Sequence, residues 1–232
     1  DRLEAIGGQT WRRTLDDRIG LSWEERRRAE DTPAPTLPVL EPLLADKPEH
    51  VIERPANERI PDDNPWGFRL DVPAHKYDRG ELHNLKVARG TLTEDERYVI
   101  NEHIVQTIMM LEQLPMPKHL RGVPEIAGGH HETLDGRGYP RRLTVEQMSL
   151  PARMMAIADI FEALTAVDRP YKLGKTLSAA VGIMASMRDR RHIDPDLFAL
   201  FLESGVYREY AQRFLRADQL DEVDVAALLK KP

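Results

Sequence analysis

The sequence predicts an all-α protein in which a helical domain is preceded by a proline-rich, largely extended arm. Nine of the 17 prolines lie between residues 31 and 73, where each removes a backbone donor and disfavours helix in the residue before it. From about residue 90, apolar residues recur instead at helical spacing, and no run alternates as a half-buried strand would. We therefore expect an N-terminal helical segment at 1–30, the arm at 31–88 and the helical domain at 89–232.

The region before the helical domain is expected to contain one or two short helices. Apolar residues spaced as on one helix face are Leu3, Ile6, Trp11 and Leu15. Ser22-Trp23-Glu24-Glu25 is a capping box that opens a second short helix. Neither helix offers enough apolar surface to fold alone, so both should depend on packing against other parts of the chain.

The helical domain is expected to begin with a helix at 94–113. Thr93-Glu94-Asp95-Glu96 is another capping box, apolar residues follow on one face, and Pro115 ends the pattern. Asp194-Pro195 supplies an N-cap and a first-turn proline for a later helix. The other predicted helices cover 118–131, 151–167, 177–187, 209–215 and 219–229.

Composition excludes several classes of function. The chain has 33 Lys and Arg against 39 Asp and Glu, a net charge of −6, which argues against a DNA-binding or anionic lipid-binding surface. No apolar run approaches the roughly 18 residues of a membrane span. The absence of cysteine excludes disulfides, thiolate catalysis and zinc bound by Cys, and accords with a cytoplasmic location. A metal site would therefore use His, Asp and Glu.

Two basic clusters and one histidine are expected to have structural and not functional roles. Arg12-Arg13 and Arg26-Arg27-Arg28 are expected to be solvated helix faces, with a basic partner surface as the alternative. His192 stands just before the N-cap at Asp194 and is expected to be structural.

The stretch from Gly128 to Pro140 contains two adjacent histidines and a glycine-rich loop. On a helix, His130 and His131 point about 100° apart, so they suit two neighbouring metals, or a metal and a phosphate, better than a single ion. The glycines of the following loop permit close backbone approach to a ligand. The alternative is a helix end with surface histidines and an ordinary turn.

Asp159 lies in the middle of a predicted helix with apolar neighbours, where it cannot act as a cap. Burying a carboxylate at such a position is costly unless a cation or hydrogen-bond donors satisfy it. A metal is the simplest partner. The alternative is an ion pair with Arg153 or Arg169.

His103 lies on the first helix of the helical domain, on a face that is otherwise apolar. Alone, such a histidine is more often a hydrogen-bonded core residue than a ligand. Together with His130, His131 and Asp159 it forms a His/Asp set from three helices. These donor types suit iron, manganese or zinc.

A long series of motifs runs from residue 90 to about 205. Its members are Gly90-Thr91-Leu92-Thr93 with Glu96, His103, His130-His131-Glu132, Asp135-Gly136, Gly138-Tyr139-Pro140, Ala152-Arg153, Ile157-Ala158-Asp159 and Asp168-Arg169-Pro170-Tyr171. Over this half of the chain the sequence resembles the HD-GYP family of cyclic di-GMP phosphodiesterases, a helical branch of the HD metal-dependent phosphohydrolases. The resemblance implies an HD-type helical domain that hydrolyses cyclic di-GMP to pGpG and GMP in bacterial signalling.

The resemblance also implies roles for individual residues. The residues implied to coordinate a di- or trinuclear centre, of iron or alternatively manganese, are His103, His130, His131 and Asp159. The residues implied to act as carboxylates that orient the imidazoles in catalysis are Glu132 and Asp135. Those implied to hold the phosphate or guanine are Arg169, Lys172 and Lys175, and those that would shape the pocket are Gly138, Tyr139 and Pro140.

The sequence departs from the family at its naming motif, a His-Asp pair followed by Lys. No His-Asp dipeptide occurs, although His75 and Asp78 stand near the expected place. One explanation is that the protein is degenerate, which would make it an inactive cyclic di-GMP receptor or a protein-interaction module. The other, which we favour because the chain begins without Met and keeps the downstream residues, places the motif upstream of Asp1, with residues 1 to about 88 inserted.

On the favoured explanation the 232 residues alone would be inactive, and a sensory or regulatory domain would lie upstream. An HD-type phosphohydrolase for another nucleotide is a further alternative function. A homodimer is the expected form of self-association.

Overall fold

The computed structural model describes residues 2–30, 32–168 and 174–230. The backbone divides into two compact units, the first comprising Asp1–Pro61 and Asp71–Ile100, and the second Asp62–Leu70 and Asn101–Pro232. The fold is rich in helix with only small sheets, which confirms the predicted fold class. The boundaries predicted after residues 30 and 88 stay a prediction. Within the described ranges, no helix has the length and hydropathy needed to cross a membrane.

The first unit is built from short elements around two antiparallel hairpins. Its elements in chain order are α1 (Arg2–Gly7), β1 (Thr10–Arg13), α2 (Trp23–Arg28), β2 (Val39–Pro42), β3 (Val51–Glu53), β4 (His75–Asp78) and α3 (Glu81–Leu85). β1 pairs with β2 so that Trp11 lies opposite Glu41, and β3 pairs with β4. The predicted capping box at Ser22 is confirmed, because Ser22 and Glu25 each accept the other's backbone N–H.

The single helix expected through Trp11 and Leu15 is wrong beyond Gly7. The Gly7-Gly8 pair weakens a helix by about 1 kcal/mol per glycine relative to alanine. A Cβ at Gly7 would also lie 2.9 Å from a methyl carbon of Leu82, so a larger residue there would have to displace that side chain. After the glycines the chain enters β1, where buried Arg13 reaches across the hairpin to Glu41 at 2.6 Å.

The second unit contains the long helices that the sequence predicts. In chain order these are α4 (Glu94–Glu112, of which residues from 101 onward belong to this unit), α5 (Val123–Gly129), α6 (Leu150–Thr165), α7 (Leu177–Asp189), α8 (Pro195–Glu203), α9 (Val206–Phe214) and α10 (Val225–Leu229). Two predicted helices are shorter than expected. The segment from 118 forms a single turn before α5, and the last helix begins only at Val225.

The core of the second unit lies among α6, α7, α8 and α9. Its largest members include Phe161, Met184, Phe198 and Tyr207, all buried. Burying one such side chain stabilises the fold by about 1.5–3 kcal/mol. The core fixes α6 from the side opposite its exposed residues, so the position of α6 in this unit is set by packing.

Candidate metal centre

Three histidines from two separate parts of the second unit converge. His103 lies on α4, His130 is the C-cap of α5, and His131 follows it. Their ligand atoms all lie within 4.8 Å of one another. The Nε2 atoms of His103 and His131 are 3.3 Å apart. Of the four predicted ligands, the three histidines therefore lie close together.

The orientation of His130 is set by the backbone of α5. Its Nδ1 lies 2.6 Å from the carbonyl oxygen of Ala127, which can only accept a hydrogen bond. Nδ1 therefore donates this hydrogen bond, and Nε2 is the ring nitrogen left to face a metal. Anchoring one ring nitrogen to a carbonyl in this way is how proteins hold the other for a metal.

His131 is the most perturbed of the three. Burial, followed by the neighbouring charges of His130 and His103, lowers its pKa to about 4. At neutral pH this imidazole is uncharged and can serve as a ligand. Its ring stacks on Tyr139, with centroids 4.8 Å apart and planes 22° apart. Burial and then the charge of Asp159 raise the pKa of Tyr139 to about 12, so that its hydroxyl stays protonated.

Asp159 is less buried than its apolar neighbours in sequence suggested. It is half-buried on α6, and Met154 and Met155 on the same helix are 52% and 45% exposed. Its carboxylate is not part of the group of histidine ligand atoms that lie within 4.8 Å of one another. Its charge nevertheless contributes to the raised pKa of Tyr139. The expected environment, apolar on all sides, is therefore wrong, because one face of α6 is solvent-exposed.

Of the two arginines expected as ion-pair partners of Asp159, the structure describes one. Arg153 is bound to Asp194 at 2.6 Å and not to Asp159. Arg169, the other expected partner, lies outside the described residues, as does Lys172. Lys175 is exposed, and its backbone N–H donates to the carbonyl of Leu164.

Glu132 and Asp135 have partners other than the imidazoles they were expected to orient. Glu132 is 1% exposed, and its two oxygens accept the backbone N–H groups of Arg141 and Leu143 at 2.6 and 2.8 Å. Burial raises its pKa, against the opposing effect of these donors. Asp135 accepts from the hydroxyl of Thr133 at 2.6 Å, and this bond lowers its pKa. Through these bonds both carboxylates hold the loop in place. The imidazole of His130 is oriented instead by the carbonyl of Ala127.

The glycine-rich loop is fixed directly beside the histidines. A Cβ on Gly138 would lie 2.4 Å from the Cα of Glu132 and from the N of Thr133, so only glycine fits. Tyr139 donates its N–H to the carbonyl of His131 at 3.2 Å. The carbonyl of Pro140 accepts the N–H of Arg69 at 2.7 Å. Gly138 and Pro140 are buried, which leaves the Tyr139 ring as the loop's contribution to the site.

A fourth histidine lies within electrostatic range of this group. The charge of His192 contributes to the lowered pKa of His131. Burial lowers the pKa of His192, and Asp135 opposes that shift. A structural role was expected for His192, because no local motif distinguishes an imidazole that approaches the site from another loop.

Comparison with known proteins identifies the family. An HD domain family model matches residues 38–197, more than half of the chain. A cyclic di-GMP phosphodiesterase of Pseudomonas aeruginosa is 38% identical over 119 residues, which are 51% of this chain and 28% of that protein. A 3′3′-cGAMP-specific phosphodiesterase of Vibrio cholerae is 39% identical over 112 residues, 47% of this chain and 23% of that protein.

A cyclic di-GMP phosphodiesterase response regulator of Xanthomonas campestris is 34% identical over 124 residues, 52% of this chain and 32% of that protein. The chain therefore spans less than a third of the length of each of these three relatives. As its motifs predicted, the chain belongs to the HD domain family.

Proposed function

We propose that this chain is part of a metal-dependent phosphodiesterase that hydrolyses cyclic di-GMP in bacterial signalling. The observation that supports this most directly is the convergence of His103, His130 and His131, with ligand atoms within 4.8 Å of one another. The names of the relatives support the substrate class, because several are cyclic di-GMP phosphodiesterases.

The donor set fits a divalent transition metal. His130 is anchored through Nδ1, which leaves Nε2 for a metal, and His131 is neutral above a pKa of about 4. The Nε2 atoms of His103 and His131 lie 3.3 Å apart, so the two rings turn the same kind of ligand atom toward one another. Imidazole suits iron, manganese and zinc. We propose that Asp159 completes the set, and that the centre is dinuclear or trinuclear, with iron first and manganese as the alternative.

The metal, when bound, supplies Lewis-acid activation of the phosphodiester and of water. The chain's own residues position the reacting groups. His103, His130 and His131 hold the centre, and the Tyr139 ring covers one face of His131 and excludes water there. The residues that we propose as contacts for the phosphate or guanine are Lys175, Arg169 and Lys172.

A second substrate, 3′3′-cGAMP, is supported by a specific observation. Relatives from Vibrio cholerae that are 39% and 35% identical are named as specific for that nucleotide. Both molecules are cyclic dinucleotides with two phosphodiester bonds between purine nucleosides. We therefore propose a cyclic dinucleotide as the substrate class.

We further propose a cytoplasmic location, an attached sensory or regulatory domain and assembly as a homodimer. The first is supported by the lack of cysteine, and the second by the greater length of the relatives. The net charge of −6 argues against a DNA partner, so an anionic nucleotide would depend on cationic groups placed locally at its site.

The test uses the longest natural protein that contains this chain. Purified protein is incubated with Mn²⁺ or Fe²⁺ and either cyclic dinucleotide, and products are separated by liquid chromatography. We expect linear dinucleotide or mononucleotide, which His103→Ala abolishes and His119→Ala, an exposed histidine outside the site, preserves. Saturable binding without turnover would support a receptor instead. Absence of both, or equal activity in the two variants, would contradict the proposed function.

A further inference from the structure

A second candidate binding site lies within the first unit, and none of the proposed metal ligands lines it. It is a cavity of about 450 Å³, lined by residues of α2, of the loops that flank β2 and of the loop after β4. Apolar side chains such as Leu21, Ala29 and Pro48 share its wall with charged ones. Neither the proposed function nor the family's motifs account for this cavity.

Most of the carboxylates in the wall already have partners. Asp17 and Glu41 lie 3.0 and 3.7 Å from the amino group of Lys47. Glu25 accepts hydrogen bonds from the backbone N–H and the hydroxyl of Ser22. Asp17, Glu25 and Glu41 therefore have close hydrogen-bond or ion-pair partners other than Arg28 and Arg79.

Arg18, one of three arginines in the wall, donates to the carbonyl of Thr32, and Arg28 and Arg79 are the other two. Arg28 ends α2, and its Nε is buried without a hydrogen-bond partner among the described residues. Arg79 is exposed, and its guanidinium makes no ion pair with any carboxylate in the described ranges. A buried donor without an acceptor is costly, and a ligand oxygen would relieve that cost.

The two arginines both exert an electrostatic effect on Glu25, another residue of the cavity wall. Besides the capping bonds from Ser22, which have the largest effect, the charges of both Arg28 and Arg79 lower the pKa of Glu25. Both also line the cavity directly. A guanidinium can grip phosphate or carboxylate oxygens with two parallel hydrogen bonds, so two such groups at one cavity are suited to an oxyanion.

We propose that this cavity binds a small molecule that carries a single phosphate or carboxylate group on an apolar body. Arg28 and Arg79 hold the oxyanion, and the apolar wall around Leu21 and Pro48 contacts the body. Glu49 lines the same cavity, and its charge selects against ligands with several anionic groups.

Helix α2 itself provides the matched control. Arg26 and Arg27 precede Arg28 in sequence, but both are exposed and line a different surface groove beside Trp23. If the arginine cluster attracted anions only through its total charge, the three arginines would be equivalent. If the cavity is a binding site, Arg28 alone among them matters.

The experiment is an NMR titration of the 232-residue chain with phenyl phosphate and with benzoate, observing the Nε–Hε resonances of arginine. Benzyl alcohol, which lacks the anion, is the control ligand. We expect a saturable shift of the Arg28 resonance with at least one of the two anions. Arg28→Gln and Arg79→Gln should each weaken binding at least fivefold, and Arg27→Gln should leave it unchanged. The anion that binds more tightly identifies the group recognised.

Two results would overturn the proposal. One is the absence of a saturable shift with both anions, and the other is equal weakening by Arg27→Gln and by the cavity variants. The backbone amide spectrum reports whether each variant is folded. Should Arg28→Gln fail to fold, Arg79→Gln, an exposed residue on another element, makes the same comparison with Arg27→Gln.

Discussion

At the scale of single residues, the candidate centre depends on side chains that support the histidines as much as on the histidines themselves. Ala127 fixes the tautomer of His130 through its carbonyl, and Tyr139 stacks on His131. Glu132 holds the loop that carries Tyr139. The sequence motif predicts which residues are present, but their partners depend on backbone positions that no spacing rule specifies.

The first prediction concerns the protonation of His131 in the metal-free chain. Its pKa falls from 6.5 to about 4 on folding, so between these values the unfolded state binds a proton that the folded state does not. The free energy of unfolding should therefore decrease as the pH falls from 6.5 to 4. Urea unfolding measured across this range should show a smaller decrease for His131→Gln than for the wild type.

His119→Gln is the control, because His119 is exposed. A wild type and a His131→Gln variant that lose stability in parallel would show that His131 is not responsible.

The second prediction concerns the carboxylate of Glu132. Glu132→Gln replaces one accepting oxygen by an NH₂ group, which faces a backbone N–H of Arg141 or Leu143. Leaving a buried donor unpaired costs about 1–3 kcal/mol of folding free energy. Glu146→Gln, near the end of the same loop and exposed, should change the free energy of unfolding by less than about 0.5 kcal/mol. Equal effects of the two variants in urea unfolding would rule out the anchoring role.

At the scale of secondary structure, the helices whose first residues form a capping motif were the most predictable. Capping boxes at Ser22 and Thr93 and the Asp194-Pro195 cap all lie where helices begin. The two hairpins were not predicted, because their strands have only three or four residues and pair across long loops. Such strands are stabilised by contacts between distant residues, which local periodicity does not report.

The third prediction concerns the start of α8. Asp194 is buried, accepts the N–H groups of Asp196 and Leu197 as N-cap, and binds Arg153 at 2.6 Å. Asp194→Ala removes the cap and leaves Arg153 without its partner, so we expect a loss of about 2–4 kcal/mol in unfolding free energy. Asp196→Ala, an exposed position in the same turn, should cost less than about 1 kcal/mol. Similar losses in urea unfolding for both would mean that the cap and ion pair contribute little.

At the scale of the whole molecule, the family could be identified from sequence because its motifs extend over half of the chain. The HD domain match covers residues 38–197 and includes all three converging histidines. Metal coordination and hydrolysis depend on distances that a motif does not contain. The convergence of the three imidazoles in the second unit supports metal coordination by these side chains.

Metal binding by these histidines can be measured by calorimetric titration of the 232-residue chain with Mn²⁺, and with Fe²⁺ under anaerobic conditions. We expect saturable binding that His130→Ala and His131→Ala each weaken by at least about tenfold, because each removes one ligand atom from the set. His119→Ala should bind as the wild type does. Identical isotherms for all four proteins, or no binding by the wild type, would contradict the account.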